Sequence, residues 1–262
     1  MEVEVRPGMA NESPQKTDET ETIFQPDGKW KVILCNGMIR SASTWSYNVV
    51  LKLMRAAAGE SVYGNYNEDI AQFLESSPPT ASYLVLKCHM LDTVGRGLLE
   101  RGEARVVYTC RDLADAAVSF MRMFQFDFEH TLSALGGALE LYKFHRAGGH
   151  ALILGYREIT SHPLESVAKI ATHLGVKAPM EVLERINDET SLERAKDRVE
   201  QLKAGIDADQ LVRFDRFVHD RKTLLNLDHI RDGRSGYGRA SLTEEQSLRI
   251  DELARQYEYE ME

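Results

Sequence analysis

The sequence predicts a single α/β domain with a central parallel β-sheet flanked by helices. Its 262 residues suffice for one sizeable hydrophobic core, and four continuous apolar runs have the length of buried strands. Helical patterns lie between these runs, and helical crossovers are what join parallel strands that are covered on both faces. No second domain is required. The chain therefore divides into a polar lead-in, residues 1–27, and one domain, residues 28–262.

The four predicted strands span residues 32–35, 83–87, 106–110 and 151–155. Sheets of this kind bind ligands beyond the carboxyl ends of their strands, so the residues that follow each strand are candidates for a site. Basic groups collect there although the chain has a net charge of −9, which predicts a site for one anionic ligand. The strand-end residues, in chain order, are Arg40, Lys87 with His89, Arg111 with Asp112, and Tyr156.

Outside the strands, two kinds of segment have a simple interpretation. Residues 1–27 are rich in polar residues and poor in large apolar side chains, which predicts a flexible tail. Residues 181–203 and 242–259 carry mixed charge with apolar residues at helical spacing, which is typical of amphipathic surface helices. The oligomeric state cannot be deduced from these helical faces.

Composition excludes some classes of function. The net charge of −9 argues against broad nucleic-acid binding, which needs clustered Lys and Arg. The cysteines Cys35, Cys88 and Cys110 lie in or at the end of apolar runs without a Cys-x-x-Cys motif, which predicts buried thiols in a reducing compartment. The sequence shows neither a secretory segment nor an apolar run of about 18 residues. We therefore expect a cytoplasmic protein that does not interact with a membrane.

A turn of small hydroxyl residues follows the first predicted strand. It begins at Arg40 and contains Ser41, Ser43 and Thr44, and a helix starts there. Backbone N–H groups at a helix start have no partner within the helix and favour phosphate or sulfate. The turn is P-loop-like but lacks both the Gly-Lys-Ser/Thr ending of nucleotide-triphosphate P-loops and the Gly-x-Gly-x-x-Gly of dinucleotide sites. An ordinary strand-to-helix connection capped by serine is the alternative.

Two further strand ends offer candidate groups. His89 has the side chain best suited to take a proton from a hydroxyl near neutral pH, although a structural hydrogen-bonding role is the common alternative. Arg111 and Ser119 have a spacing that aims both at one anion, unless Arg111 pairs with Asp115 and Ser119 faces solvent. The remaining histidines, such as His130, His145, His150 and His162, are interpreted as surface residues.

Five segments, in order along the chain, resemble motifs of the PAPS-dependent sulfotransferases of soluble and bacterial type. PAPS is 3′-phosphoadenosine 5′-phosphosulfate. Residues 39–45 are similar to the family's 5′-phosphosulfate loop, 86–90 to the segment with the catalytic base, 107–119 to the 3′-phosphate motif, 154–159 to the Tyr-Glu-Asp segment, and 231–236 to the late Arg-Lys-Gly-x-x-Gly loop.

The resemblance implies a role for each matching residue and implies no metal. The catalytic residues would be His89, Arg40 and Lys87, while Trp45 would stack on adenine and Tyr156 would close on the nucleotide. The product of the cofactor would be adenosine 3′,5′-bisphosphate (PAP). The residues implied to bind the cofactor are Arg40, Ser41, Ala42, Ser43, Thr44, Trp45, Arg111, Ser119, Tyr156, Thr190, Ser191, Leu192, Arg231, Asp232 and Gly233.

Four positions depart from the family pattern. Ile39 replaces a proline, Ala42 a glycine, Cys88 a threonine and Leu192 a phenylalanine. Ala42 restricts how closely the backbone can approach the phosphosulfate, since glycine alone lacks a Cβ. Leu192 removes an aromatic face from the adenine site. These departures concern the affinity for the cofactor more than its identity.

The function that the sequence predicts is transfer of a sulfuryl group from PAPS to a hydroxyl, or an amine, of a small-molecule acceptor. His89 would remove the acceptor's proton, Arg40 would stabilise the leaving oxygen, and Lys87 would balance charge on the sulfuryl oxygens. The aromatic and Met-rich residues 120–128 either wall an apolar acceptor pocket or belong to the helix core or a packed loop. Two alternatives are a P-loop small-molecule kinase that uses ATP and magnesium, and a binding protein that kept the fold without activity.

Overall fold

A computed structural model describes residues 23–24, 30–214, 217–228 and 233–260. The strands are β1 (Ile23–Phe24), β2 (Val32–Gly37), β3 (Val62–Tyr66), β4 (Tyr83–Cys88), β5 (Ala104–Cys110), β6 (Ala151–Gly155), β7 (Val176–Lys177), β8 (Leu211–Phe214) and β9 (Phe217–Asp220). The helices are α1 (Ser43–Ala58), α2 (Ile70–Ser76), α3 (Thr93–Glu100), α4 (Leu113–Phe124), α5 (Phe128–Gly148), α6 (Tyr156–Ser161), α7 (Pro163–His173), α8 (Met180–Glu189), α9 (Leu192–Lys203) and α10 (Glu244–Gln256).

Five strands form the central sheet in the order β3-β4-β2-β5-β6, and every neighbouring pair is parallel. The predicted α/β class, the parallel sheet and all four predicted strands are confirmed. Because the strands are parallel, their carboxyl ends meet at one edge of the sheet. The groups that follow them in sequence are therefore neighbours in space.

The edge strand β3 was missed by the sequence prediction. Its residues are Val-Tyr-Gly-Asn-Tyr, and a glycine within a short polar run does not indicate a strand. Gly64 is needed because α1 packs closely on this strand. A Cβ added at Gly64 would lie 2.7 Å from Tyr47 Oη and 2.9 Å from Leu51 Cδ1.

The hydrophobic core has two halves, one on each face of the sheet. Successive residues of a strand point to opposite faces, so Ile33 and Val107 pack under α1, α7 and α8, whereas Leu34 and Val106 pack against helices of the other face. The predicted burial of Cys35, Cys88 and Cys110 is confirmed, and all three are free thiols. Coverage on both faces explains why the strands have continuous apolar sequences.

The remaining strands form two small antiparallel pairs. β1 pairs with β7, so Ile23 and Phe24 are an exception to the predicted tail; the rest of residues 1–27 lies outside the described residues. β8 and β9 form a hairpin beyond the sheet. The predicted amphipathic segment 181–203 is two helices, α8 and α9, because Thr190 ends the first and Ser191 caps the second. No helix in the described part of the chain is long and apolar enough to cross a membrane.

Candidate active site

The turn between β2 and α1 is shaped as an anion cradle. Arg40 and Ala42 both have left-handed backbone conformations, with φ of 71° and 74°. Ala42 is the N-cap of α1, and no side chain in the described part of the chain caps the first turn of this helix. The hydroxyl-bearing Ser43 and Thr44 line the adjoining cavity. The helix start therefore offers its N–H groups and the positive end of its dipole to an anion.

Ser41 has a different role from the one its hydroxyl was predicted to play. The side chain is fully buried, and its hydroxyl contacts the carbonyl oxygen of Met38 at 2.5 Å and Thr109 Oγ1 at 2.7 Å. It ties the turn to the end of β5, so only its backbone remains for a ligand. Gly37 permits this contact, because a Cβ there would lie 2.3 Å from Thr109 Oγ1.

Three of the predicted anion ligands lie together. Arg40 Nε donates to Ser119 Oγ at 2.9 Å, and Arg111 Nη1 donates to the carbonyl oxygen of Arg40 at 3.2 Å. Ser119 is buried on α4 at the cavity rather than facing solvent. The sheet edge thus brings the cradle of β2 and the arginine of β5 to the same cavity.

Arg111 is a buried cation whose donors are incompletely satisfied. Nη2 donates to the carbonyl oxygen of Arg234 at 2.7 Å and lies 3.5 Å from Asp115 Oδ2, so the alternative ion pair exists as well. The Tyr156 ring covers the guanidinium at 3.9 Å. Nε has no hydrogen-bond partner among the described residues. A buried donor of this kind costs free energy when unpaired, so the arrangement fits an anionic group of a ligand.

The late loop docks on the start of α4. Both oxygens of the Asp115 carboxylate accept backbone N–H groups at 2.7 Å, from Gly236 and from Gly238. Earlier in the loop, Gly233 lies against Leu192 and Tyr156, since an added Cβ would be 2.9 Å from Leu192 Cδ2 and 3.9 Å from Tyr156 Oη. Arg231 and Asp232, both predicted to bind the cofactor, lie outside the described residues.

The predicted adenosine contacts line the same cavity. Trp45 follows the cradle, and Thr190, Ser191 and Leu192 join α8 to α9. The two hydroxyls are already engaged: Thr190 Oγ1 donates to the carbonyl oxygen of Ile186 at 2.7 Å, and Ser191 Oγ accepts the N–H of Arg194 at 3.2 Å. These two hydroxyls therefore stabilise the end of α8 and the start of α9, which form this side of the cavity.

His89 and Lys87 meet at the end of β4. His89 Nδ1 lies 2.8 Å from the carbonyl oxygen of Gly37, so Nδ1 carries the proton and Nε2 keeps a lone pair, 3.2 Å from Lys87 Nζ. Burial first, and then the charge of Lys87, lower the pKa of His89 from 6.5 to about 3. Burial also lowers the pKa of Lys87 from 10.5 to about 8. The pair thus offers a neutral base beside an ammonium group.

Sequence reasoning missed the groups that support this pair. Glu68 Oε2 accepts the backbone N–H groups of His89 and Met90, each at 2.8 Å. Asn36 Nδ2 donates to the carbonyl oxygen of Met90 at 3.3 Å, and its Oδ1 lies 3.2 Å from His145 Nε2. The interpretation of His145 as a surface residue was wrong: it is 1% exposed, because α5 packs it over the sheet. Its hydrogen bond to the end of β2 could not be deduced from spacing.

One cavity of about 2330 Å³ joins the cradle to an aromatic end. Phe120, Phe124 and Phe126 line that end, as the first of the two alternatives for residues 120–128 predicted, while Phe128 packs in the core. Phe217 of β9 closes the end by contacting Phe124, with ring centroids 5.3 Å apart. The hairpin had no sequence pattern that linked it to α4.

The described geometry is that of an anion cradle beside a buried base, and comparison with known proteins assigns it to a family. The family model for the sulfotransferase domain matches residues 40–261. The chain belongs to the sulfotransferase family. By sequence, it matches none of the curated proteins.

Solved structures share the fold of this sulfotransferase at low sequence identity. Mouse sulfotransferase SULT7A1 complexed with PAP has a TM-score of 0.65 and 16% identity, covering 88% of this chain and 85% of that one. Retinol dehydratase with androsterone and the inactive cofactor PAP has a TM-score of 0.61 and 19% identity, covering 88% and 81%. Retinol dehydratase with retinol and PAP has a TM-score of 0.62 and 16% identity, covering 90% and 83%.

These comparisons confirm the predicted sulfotransferase family and fold. The roles of individual residues remain predictions, which the geometry refines. His89, Lys87, Arg40, Ser119 and Arg111 are brought together at one edge of the sheet, whereas the hydroxyls of Ser41, Thr190 and Ser191 are engaged by the protein itself.

Proposed function

We propose that the protein transfers the sulfuryl group of PAPS to a hydroxyl group of a small, largely apolar acceptor. One observation carries this proposal: a neutral imidazole, whose unprotonated Nε2 lies beside the Lys87 ammonium, lines the same cavity as an uncapped helix start and two arginines. A proton acceptor, an anion cradle and an apolar compartment are the three parts that such a transfer needs.

The residues present fit the two charged ends of PAPS. The N–H groups of α1 and the hydroxyls of Ser43 and Thr44 suit the 5′-phosphosulfate, because nothing in the described side chains caps that helix. The Arg111 guanidinium, with its unpaired Nε, suits the 3′-phosphate together with Ser119. The three structural neighbours are complexes with PAP, which supports PAPS as the donor.

The chemistry follows from the protonation states of the site. His89 Nε2 would take the acceptor's hydroxyl proton as its oxygen forms the bond to sulfur, and the bond from sulfur to the phosphate oxygen would break in line with it. Arg40 would stabilise the negative charge on the departing oxygen, and Lys87, as an ammonium group, would balance charge on the sulfuryl oxygens. Arg40 remains charged throughout, since its pKa exceeds about 12.

The aromatic end of the cavity supports an apolar acceptor. Phe120 and Phe124 have ring centroids 4.7 Å apart, and Phe124 and Phe126 stack at 5.6 Å. Flat rings of this kind bind apolar bodies by contact area rather than by hydrogen bonds. Retinol dehydratase, a structural neighbour, has been solved in complex with androsterone and with retinol, and both are largely apolar compounds.

The test begins with calorimetric titration of the protein with PAP, and with ATP plus magnesium as the comparison. We expect tight binding of PAP and negligible binding of ATP, followed by PAPS-dependent sulfation in a screen of apolar alcohols. Preference for ATP would favour a kinase. Binding of neither nucleotide would support a binding protein of this fold without activity.

The base is tested with the variant His89→Ala and the matched control His162→Ala, since His162 is exposed on another element. His89→Ala should keep the affinity for PAP and lower kcat by at least about 10²-fold, the usual contribution of a general base. His162→Ala should behave as the unchanged protein. A His89→Ala variant with most of its kcat would refute the base assignment.

A further inference from the structure

We propose that Glu68 is a positioning residue for this reaction, whose carboxylate holds the backbone after β4 so that His89 and Lys87 face the reacting atoms. The proposal rests on the proposed function, because it concerns the base of that reaction. Glu68 lines the cavity two residues beyond the end of β3, the edge strand beside β4.

The contacts of the Glu68 carboxylate are made on both oxygens. Oε2 accepts the N–H groups of His89 and Met90 at 2.8 Å each, and Oε1 accepts the hydroxyl of Tyr66 at 3.0 Å. β4 ends at Cys88, so these two N–H groups lie beyond the strand's ladder. One carboxylate oxygen thus replaces the partner that a longer β3 would have supplied. Charge-assisted hydrogen bonds of this type are the stronger ones.

The same backbone segment is held from the opposite side. Asn36 Nδ2 donates to the carbonyl oxygens of Cys88 at 3.4 Å and of Met90 at 3.3 Å. The His89 ring is anchored in turn through Nδ1 to the carbonyl oxygen of Gly37 at 2.8 Å. Because this ring bond fixes one edge of the imidazole, the direction of Nε2 depends on where the His89 backbone lies. A loss of the Glu68 contacts frees that backbone on one side.

Glu68 also brings a negative charge to a group of cations. The Lys87 ammonium lies 4.9 Å from the centre of the Tyr66 ring, whose hydroxyl binds Glu68. The titratable or charged groups that act on Lys87 from the surrounding elements are Glu68, Cys88, Cys35, Arg40, His89, Tyr66 and His219. Burial raises the pKa of both cysteine thiols, so they are neutral. Within this set, the negative charge of Glu68 is what favours the protonated form of Lys87.

These two roles can be separated by substitution. Glu68→Gln keeps an oxygen that accepts both N–H groups but removes the charge. Glu68→Ala removes both. The matched control is Glu75→Gln, because Glu75 lies exposed on α2, the helix that follows Glu68. The readouts are kcat, the affinity for PAP, and the pH dependence of kcat/KM.

We expect Glu68→Ala to lower kcat by about 10²-fold, the cost of a base displaced by about 1 Å, with the affinity for PAP unchanged. Glu68→Gln should keep a larger share of kcat than Glu68→Ala at about pH 6.5, and the alkaline fall of its kcat/KM should move to lower pH. Glu75→Gln should match the unchanged protein. A kcat within about threefold for Glu68→Ala, or a parallel loss of PAP affinity, would overturn the proposal.

A second readout stands apart from activity. The ring nitrogens of His89, observed by NMR in the unliganded protein, report its tautomer and its surroundings. Glu68→Ala should shift these signals and Glu75→Gln should not. If Glu68→Ala does not fold, Glu68→Asp keeps the charge on a shorter side chain and should shift them likewise. Unshifted His89 signals would overturn the positioning role of Glu68 even with an active enzyme. Shifted signals without sulfation in the unchanged protein would place the failure in the proposed function.

Discussion

Lys87 and His89 are both cations when protonated, yet at neutral pH they lie side by side as an ammonium group and a neutral imidazole. Burial is the first cause of both shifts, and the charge of Lys87 lowers the pKa of His89 further. With a pKa of about 3 for His89 and about 8 for Lys87, the base is free and the ammonium is protonated across the neutral range.

These pKa values predict a pH profile with one limb near neutrality. We expect kcat/KM to be flat between about pH 5 and 7, because His89 stays neutral, and to fall above about 8 as Lys87 loses its proton. Steady-state kinetics over this range measure the profile. Lys87→Arg should remove the alkaline limb, since arginine keeps its proton. A rise of kcat/KM through about pH 6.5 would contradict the lowered pKa of His89, because it would report an imidazole that titrates at its ordinary pKa.

The backbone conformation of Ala42 leads to a prediction about stability. Its φ of 74° lies in the left-handed region, where a Cβ costs about 1 kcal/mol or more, whereas glycine is at ease. Ala42→Gly should therefore raise the free energy of unfolding by about 0.5–1 kcal/mol, measured by urea denaturation. It should also tighten PAP binding, because the cradle loses a methyl group.

The control for Ala42 is Ala56→Gly, an exposed position within α1. There the backbone is an ordinary right-handed helix, so glycine should lower the free energy of unfolding by about 1 kcal/mol. Two identical substitutions in one stretch of chain thus have opposite expected signs. Destabilisation by Ala42→Gly would show that the turn is not left-handed at that residue.

At the scale of elements, the segment that continues the late loop to Gly238 packs directly against the backbone of α4. A Cβ added at Gly238 would lie 2.2 Å from the carbonyl carbon of Ala114 and 2.3 Å from the backbone nitrogen of Asp115. Gly238→Ala should therefore push the loop away and break its two hydrogen bonds to Asp115. Since Arg111 and Gly233 contact this loop and its neighbours, PAP should bind at least about tenfold more weakly, as calorimetry would show.

Gly137→Ala provides the control for that loop. Gly137 lies within α5, and apart from the helix's own backbone and its two chain neighbours, no described atom lies within 4 Å of a Cβ added there. This variant should leave the affinity for PAP unchanged and raise helix stability, since alanine is the better helix former. Equal PAP affinity in both variants would show that the loop does not need its contact with α4.

The elements also show which features sequence reasoning can reach. The four predicted strands were found because burial on both faces leaves continuous apolar runs, and the cradle was found because small hydroxyl residues mark the start of a helix. The edge strand β3 escaped because it is short, polar at one end and interrupted by Gly64. With β3 unrecognised, Glu68 could not be placed beside His89.

Other parts of the site depend on distances that sequence does not contain. Ser41 looked like a ligand because its type and position fit, but its hydroxyl bonds to Thr109 across the sheet. His145 looked like a surface residue because the sequence shows no partner near it, yet it reaches Asn36. Phe217 joins the aromatic cavity end only because a hairpin folds back over α4. All three are long-range contacts between elements.

At the scale of the whole molecule, the parallel sheet gives the site its polarity. All five strands end at one edge, so the turn after β2, His89 after β4 and Arg111 after β5 share a cavity. The faces of the sheet supply only packing. Two titratable groups, His89 at this edge and His145 on α5 over the sheet, are nevertheless held neutral inside the protein.

These two histidines predict that the folded protein loses stability as pH falls. Burial lowers the pKa of His89 to about 3 and that of His145 to about 4, from 6.5 in the unfolded chain. Between about pH 6.5 and 4 the unfolded state binds protons that the folded state does not. The free energy of unfolding therefore decreases as the pH is lowered, by up to about 1.4 kcal/mol per pH unit for each histidine.

Urea denaturation at several pH values separates the contribution of His145. Its Nε2 faces Asn36, and its Nδ1 is buried without a partner among the described residues, so a second proton there would have no acceptor. His145→Gln should remove that group's share and roughly halve the slope of unfolding free energy against pH in this window. His162→Gln, at an exposed site, should leave the slope as it is. If His145→Gln leaves the slope of unfolding free energy against pH unchanged, then the pKa of His145 is not lowered in the folded protein. The buried ring would then carry a charge beside Asn36, contrary to the prediction.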